Sequence, residues 1–333
     1  MALPPVEVPS GAMRFNSDSQ KLEYYDGAQW LQVSTKETLT GGPRGLFGGG
    51  YSPTLLNTID YINISTQGDA VDFGDLTTAR ATNGSSCSSS TRGVWAGGRQ
   101  VPAPAFNIID YVTISATGNA LDFGDLTGAY YDYAGFSSSV RGVFGGGTPG
   151  YTNIIEYITF TSTGNAQDFG DLTAAKSIMG GCASPTRGIF AGGNPSPSAG
   201  INVIEYITIA STGNAQDFGD LTQARLALSG CSSSIRGVFG AGFLSPANVN
   251  TIDFITIATL GNAFDFGDLS YTASYIFSCS SQTRGIFAGG NAPSKVNNIE
   301  YITISTTSNS VNFGDLTGVR AYGAACSNAH GGL

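Results

Sequence analysis

A chain of 333 residues with 47 glycines, 12% charged, 41% apolar and 11% aromatic residues is too apolar and too aromatic for disorder and too evenly mixed for collagen or a linker. Its net charge of −9, from 24 acidic against 15 basic residues, excludes the basic stripe with which nucleic-acid binders neutralise phosphate, and argues equally against an anionic membrane. No stretch approaches the roughly 18 apolar residues of a membrane helix, and the opening MALPPVEVPS has neither a basic start nor an apolar run, so the expectation is a chain made and folded in a cytosol without membrane insertion.

Residues 1–40 stand apart from everything that follows. A proline-rich start (Pro4, Pro5, Pro9) leads into Gly11-Ala-Met-Arg-Phe-Asn, then Leu22-Glu-Tyr-Tyr-Asp-Gly-Ala-Gln-Trp30. The pattern predicts two short strands, Met13–Asn16 and residues 22–25, with polar turns and Trp30 packed nearby. A Gly-x-x-Arg-Phe/Tyr-Asn strand before a Leu-Glu-Tyr-Tyr-Asp-Gly-x-x-Trp strand resembles a short module of tail-fibre and other virion proteins of tailed bacteriophages. That resemblance implies a virion-attachment segment carried by Arg14, Phe15, Tyr24, Tyr25 and Trp30, with other virion proteins as its partners.

From residue 41 to 333 the chain repeats itself six times. One anchor is Arg-Gly followed by two apolar residues, at Arg44, Arg92, Arg141, Arg187, Arg236 and Arg284; the other is Phe-Gly-Asp-Leu, with Asp75, Asp125, Asp171, Asp220, Asp268 and Asp315. Successive anchors fall 46 to 50 residues apart, and self-similarity at that period signals repeat architecture. Each copy holds four short β-type runs. Gly-Val-Phe-Gly-Gly (residues 142–146) ends on a glycine pair; an Ile/Tyr/Thr-rich run such as residues 204–210 alternates with period two; Ser-Thr-Gly-Asn (211–214) turns the chain into Asp-Phe-Gly-Asp-Leu; and a small Ser/Cys-rich run precedes the next Arg. No segment has a 3.6-residue apolar period, so helix is expected to be nearly absent. Four antiparallel strands per repeat, each too small to bury its own faces, predict an all-β, six-bladed β-propeller.

An apolar strand ending in a glycine doublet (Phe190-Ala191-Gly192-Gly193), a Tyr-bearing strand (Tyr206) and a bulky aromatic (Phe218) resemble the kelch repeat, with Phe where kelch has Trp. The tail, Cys326-Ser-Asn-Ala-His-Gly-Gly-Leu333, aligns with Cys87-Ser-Ser-Ser-Thr-Arg-Gly-Val94. It is expected to supply the innermost strand that the copy beginning at Arg44 lacks, closing the ring inside the first blade. Cys87, Cys182, Cys231, Cys279 and Cys326 occupy one repeat position in different copies, which predicts small buried residues and no disulfides.

Residues present in every copy are expected to hold blades together. Seventeen of the 24 acidic residues are repeat positions, among them Asp60, Asp110, Glu156, Glu205, Asp253 and Glu300, and Arg–carboxylate bonds from the six anchor arginines are expected. The alternative, a carboxylate-lined Ca²⁺ site, lacks EF-hand spacing and nonapeptide arrays; no metal or other cofactor is expected. Catalysis has little to work with. The single histidine, His330, is expected to be solvent-exposed, no serine sits in a Gly-x-Ser-x-Gly elbow, and a sialidase-type box is missing.

The copies disagree in the loops between their second and third strands (residues 99–106, 148–152, 194–201, 243–249 and 291–296) and in the passages from blade to blade. In an up-and-down blade both lie on one face. Arg99, Phe106, Tyr130, Tyr131, Tyr133, Tyr151, Phe243, Tyr271, Tyr275 and Tyr322 are therefore the candidate binding residues, suited to a sugar or a protein. The repeats also resemble those of virion-associated proteins of marine and cyanobacterial phages. The two resemblances imply a non-enzymatic virion protein, assembled in the host cytoplasm, whose propeller contacts host glycan or protein. A decoration or cement role stands second, a polysaccharide-degrading enzyme third and a host-encoded kelch-like adaptor fourth.

Overall fold

The computed structural model describes residues 8–16, 21–32, 42–101, 104–195 and 200–333. Expectations on residues 1–7, 17–20 and 33–41, and on 102–103 and 196–199 of two variable loops, lie outside the described residues. The chain divides into two units, Met1–Gly41 and Gly42–Leu333.

The first unit is one antiparallel sheet of Met13–Asn16, Lys21–Tyr25 and Trp30–Gln32, one strand more than the sequence pattern suggests. Asp26 makes the second turn, its carboxylate accepting the Ala28 and Gln29 N–H groups at 2.8 Å. Period-two alternation then sorts the faces. Arg14 lies 4.2 Å over the Trp30 ring and donates to Glu23 at 2.9 Å. On the other face Met13 and Phe15 remain 62% and 64% exposed.

The second unit is all β. The chain has 29 strands and no helix among the described residues, and six of its sheets are four-stranded, antiparallel and alike, a β-propeller-like architecture. The first of these sheets has the order Ala324–Ser327, Arg44–Gly48, Thr58–Asn63, Val71–Asp75, so the C-terminal strand pairs with the first strand of the repeat region, Cys326 opposite Leu46. The others run in sequence order, as in Ser86–Ser88, Arg92–Ala96, Ile108–Thr113, Leu121–Asp125. In every outer strand a bulge falls at the Phe-Gly step and turns the Phe inward. Phe73 packs edge-on to Tyr61 at 5.7 Å, and its equivalents are all at most 3% exposed.

Neighbouring sheets are joined by the repeat residues. The Asp75 N–H donates to Asn119 Oδ1 of the second sheet at 3.1 Å, while Gly118 and Ala120 donate to Phe73 and Asp75 carbonyls. Asp125, Asp171, Asp220, Asp268 and Asp315 repeat the contact, the last with Asp69 of the first sheet in place of Asn. The invariant aspartates thus join the sheets through their backbone. Glycine is required beside them: a Cβ on Gly74, at φ +147°, would lie 2.4 Å from the Gly118 carbonyl oxygen.

The anchor arginines do not do what the sequence suggests. Arg92, Arg141, Arg187, Arg236 and Arg284 lie 4.6 to 4.9 Å over the aromatic ring of the adjacent strand, Arg44 at 5.2 Å. Each donates to a main-chain carbonyl of the next sheet, as Arg92 to Phe160 at 2.7 Å and Arg284 to Ile64 at 3.0 Å. From Arg92 to Arg284, carbonyl and ring rather than a carboxylate of the described residues fix a guanidinium that remains partly exposed.

The carboxylates find other cations. Asp60, Asp110, Glu205 and Asp253 are buried and pair with Arg320, Arg80, Lys176 and Arg225 of the preceding sheet at 2.7 to 3.0 Å. The cation is the last residue of Leu-Thr-x-x-Arg/Lys, and the Thr of that motif hydrogen-bonds the same carboxylate. Long Arg meets short Asp, and Lys meets the longer Glu. Where the cation position holds Tyr130 or Ala273, the acids Glu156 and Glu300 are served by hydroxyls, from Tyr133 at 3.0 Å and from Ser310 at 2.6 Å.

All five cysteines are free and buried. Their Sγ atoms fill the space over the Arg-Gly glycine of the following sheet, so that a Cβ on Gly142 would sit 2.4 Å from Cys87 Sγ.

Candidate functional site

The inner strands of the six sheets run side by side, and their small residues follow from that crowding. Ser88 Oγ donates to Ser327 O and Ser137 Oγ to Ser88 O at 2.7 Å, while Ser327, Ser280 and Ser232 donate to Ser280, Ser232 and Ala183 carbonyls at 2.5 to 2.8 Å. Two partly open spaces between these strands hold about 50 Å³ each. That admits water but not a sugar ring or a large side chain.

The two ends of these strands differ. One is closed by the chain itself. His330 is largely buried, not exposed as the sequence suggests. Its Nε2 donates to Ser88 O at 2.9 Å and its Nδ1 accepts the Gly332 N–H at 3.1 Å. The His330 carbonyl accepts from Gln282 at 3.0 Å, and Gly331 lies against Ser233. Burial lowers the imidazole pKa to about 4.

At the other end each passage between sheets contributes one residue in the left-handed region: Asn83, Asp132, Ile178, Ala227, Tyr275 and Tyr322, with φ between 49° and 64°. Asn and Asp tolerate this conformation; Ile and Tyr are strained by it. A collar of backbone hydrogen bonds holds them there. Asn83 donates to Tyr322 O, Tyr322 to Tyr275 O, Tyr275 to Ala227 O, Ala227 to Ile178 O and Ile178 to Asp132 O, at 2.9 to 3.3 Å.

These five bonds link the six residues in series without joining Asp132 to Asn83, where the side chains meet instead. Asn83 and Asp132 hydrogen-bond each other, and Thr148 also reaches Asp132. Burial pushes the Asp132 carboxyl above the usual range, against the pull of Arg99, Asn83 and Thr148. Tyr275 and Tyr322 stack with centroids 4.3 Å apart. Burial first, then the Asp132 charge, raises the pKa of Tyr275; burial raises that of Tyr322, with Arg99 pulling the other way. Arg99 lies 4.5 Å over the Tyr131 ring. Among the described residues, Asn83 Oδ1, on a side chain only 8% exposed, and Arg99 Nε are buried atoms with no hydrogen-bond partner.

The sequence-predicted residues divide accordingly. Arg99, Tyr131, Tyr275 and Tyr322 gather at or beside the collar, and Tyr151 stands near it, its hydroxyl accepting from Asn194 at 3.4 Å. Tyr133 does not belong to a binding surface; it is wholly buried because Glu156 needs its hydroxyl. Tyr130 packs edge-on to Tyr133 at 5.8 Å, and Tyr271 donates to Gly289 O at 2.9 Å beside Ala273. Both occupy surroundings that an ion pair fills elsewhere. Phe106 and Phe243 are half-buried in their loops, Phe243 in a two-stranded hairpin with Asn248. Asn83 and Asp132 are the residues the sequence reading missed. Wider clefts of about 270 and 240 Å³ lie beside the repeated turns at residues 211–214 and 162–165, but the tyrosine of each already donates to Gln216 or Gln167.

Compared with known protein families and with curated proteins, the sequence matches none.

Proposed function

We propose that the six four-stranded sheets are the blades of one closed propeller, and that the protein is a binding component of a tailed-phage particle. Residues 1–40 attach it to other virion proteins, and the collar face of the propeller contacts the host surface. The observation that carries the reading is the contrast between the two ends of the axis. One end is built of repeat turns and filled by the chain's own tail. The other holds strained backbone and six side chains of differing chemistry, which repeat architecture alone does not call for.

The first unit supports attachment. Chains of about 40 residues usually need a further partner to be stable, and Met13, Phe15 and Tyr24 give the described sheet an apolar face, 40 to 64% exposed, that another protein would cover. The same face supports the second reading, in which the whole protein only decorates the particle.

Labelled full-length protein tested on cyanobacterial and marine bacterial cells separates the two. Saturable binding that blocks phage adsorption is the expected result. No binding, with the protein still present in virions, leaves the decoration reading.

A further inference from the structure

We propose that the chain forms a two-fold dimer through one corner of the sheet of Ser229–Ser232, Arg236–Gly240, Thr251–Thr256 and Phe264–Asp268, where Ile235, Phe254, Leu260 and Phe264 of one copy cover the same four residues of a second copy.

Comparison of the repeats singles this corner out. In the preceding sheet the corresponding residues are Thr186, Tyr206, Thr212 and Gln216, and the Tyr206 hydroxyl donates to Gln216 Oε1 at 2.6 Å. Here every hydroxyl and amide of that set has been replaced by hydrocarbon. The other copies keep a polar group at one or more of the four positions; only this one has lost them all.

The four replacements lie together. Phe254 and Phe264 stand opposite each other on paired strands, with ring centroids 5.8 Å apart. The Ile235 carbonyl accepts the Ile257 N–H at 2.9 Å, and the Thr259 N–H donates to Thr256 O at 3.1 Å to open the turn that carries Leu260. Ile235, Leu260 and Phe264 are 65, 57 and 67% exposed. Positions that sister sheets fill with solvated Thr and Gln need no such residues for folding, and apolar side chains grouped on a surface mark a place that something covers. The corner is at the end of the strands closed by the tail, since Gly331 lies against Ser233, so its cover leaves the collar end free.

Charge and symmetry name the cover. Arg236 lies 4.7 Å over the Phe254 ring and stays partly exposed, while Asp265, next to Phe264, is exposed. An apolar centre with one cation and one anion at its rim is self-complementary: under a two-fold axis, Arg236 of each copy can meet the partner's Asp265. The corner also occurs once per chain. An isologous contact uses it on both copies and closes at two, whereas a head-to-tail contact needs a second, different patch. Val71, Leu121 and Val311, exposed at the position of Phe264 in other sheets, each stand beside a Tyr and a polar turn residue.

Light scattering and sedimentation equilibrium of the intact chain test this. Wild type at up to about 100 μM, where even a weak contact is populated, is expected to reach twice its chain mass of 34.3 kDa. Ile235→Thr/Phe254→Tyr/Leu260→Thr/Phe264→Gln installs residues that the preceding sheet already folds with, so its melting temperature is expected to match wild type while the dimer is lost. Phe264→Gln alone is expected to weaken the dimer at least about tenfold, and Asp265→Lys to weaken it by placing a cation against Arg236. Leu121→Gln, the matching change in another sheet, is expected to leave it intact. A wild-type monomer throughout that range, an assembly of three or more chains, or a dimer that survives the fourfold variant overturns the proposal.

Discussion

Arg320 Nη2 lies 2.7 Å from Asp60 Oδ2 across 260 residues of chain, with both side chains buried. The pair ties the last repeat to the first, and Arg320 also donates to the Thr58 and Phe47 carbonyls. Removing one partner strands a charge where water cannot reach it. Asp60→Ala is expected to destabilise the protein by about 3–5 kcal/mol in urea denaturation, and the Asp60→Leu/Arg320→Leu double variant by less than Asp60→Ala. A double variant no better than Asp60→Ala would show that the pair contributes more than mutual neutralisation.

Deleting residues 322–333 removes the inner strand of the first sheet, exposes the edge of Arg44–Gly48 and deprives Trp95 Nε1 of the Ala324 carbonyl it meets at 3.1 Å. A fall in melting temperature of at least about 10 °C is expected for a loss of several kcal/mol. A truncated chain melting within a degree or two of the intact one would contradict the role assigned to this strand.

The sheets were legible because the signals that specify them are local: a glycine pair, a period-two run and a turn, repeated. The alignment of Cys326 with Cys87 also placed the last strand beside Arg44. The charge pairing was not legible in that way. Leu-Thr-x-x-Arg reads as a linker in one copy, and its partner lies in the following sheet, so only a comparison of copies exposes it. Asp60, Asp110 and Asp253 go with Arg; Glu205 goes with Lys; Glu156 and Glu300 go with neither. The collar was half legible. Tyr275 and Tyr322 stood out as aromatics, but Asn83 is displaced by one extra residue, Thr82, that the other passages lack, so it falls out of register with Asp132. Composition likewise cannot reveal that the tail folds back and buries His330.

Glu156 is a buried carboxylate paired with the Tyr133 hydroxyl and the Thr127 N–H rather than with a cation. Burial raises its pKa, with Thr127 and Tyr133 opposing. The folded state therefore holds this proton more tightly than the unfolded state, and the resulting stability is present at low pH and lost as pH rises through the folded pKa. Glu156→Gln is expected to gain on wild type between pH 4 and pH 8 in denaturant titrations. Parallel stability curves would show that the two hydroxyl and amide donors compensate the charge in full.

Burial raises the thiol pKa of all five cysteines, to about 12 for Cys231 and Cys326. The nucleophilic thiolate is then scarce at neutral pH, and each Sγ is packed against glycine in the next sheet. Native protein is expected to react with no more than a trace of an aromatic disulfide reagent at pH 8, and five equivalents are expected only after unfolding. Rapid reaction of one thiol in the native state would mean that its pair of sheets opens.

His330 offers the sharpest pH test because the direction of its shift opposes that of Glu156. Its pKa falls from 6.5 to about 4, chiefly through burial, with the Ser88 carbonyl opposing. The unfolded chain therefore binds the proton first as pH drops, and the stability His330 contributes is full above pH 6.5 and declines toward pH 4. His330→Ala loses the contacts to Ser88, Ser137 and Gly332 at every pH, so its deficit at neutral pH measures those contacts alone. The ring keeps some exposed surface, and the margin of wild type over His330→Ala is expected to shrink by on the order of 2 kcal/mol between pH 7 and pH 4. A margin that stays constant would mean that the imidazole binds its proton as readily in the folded chain as in the unfolded one, with the tail's contacts kept at both pH values.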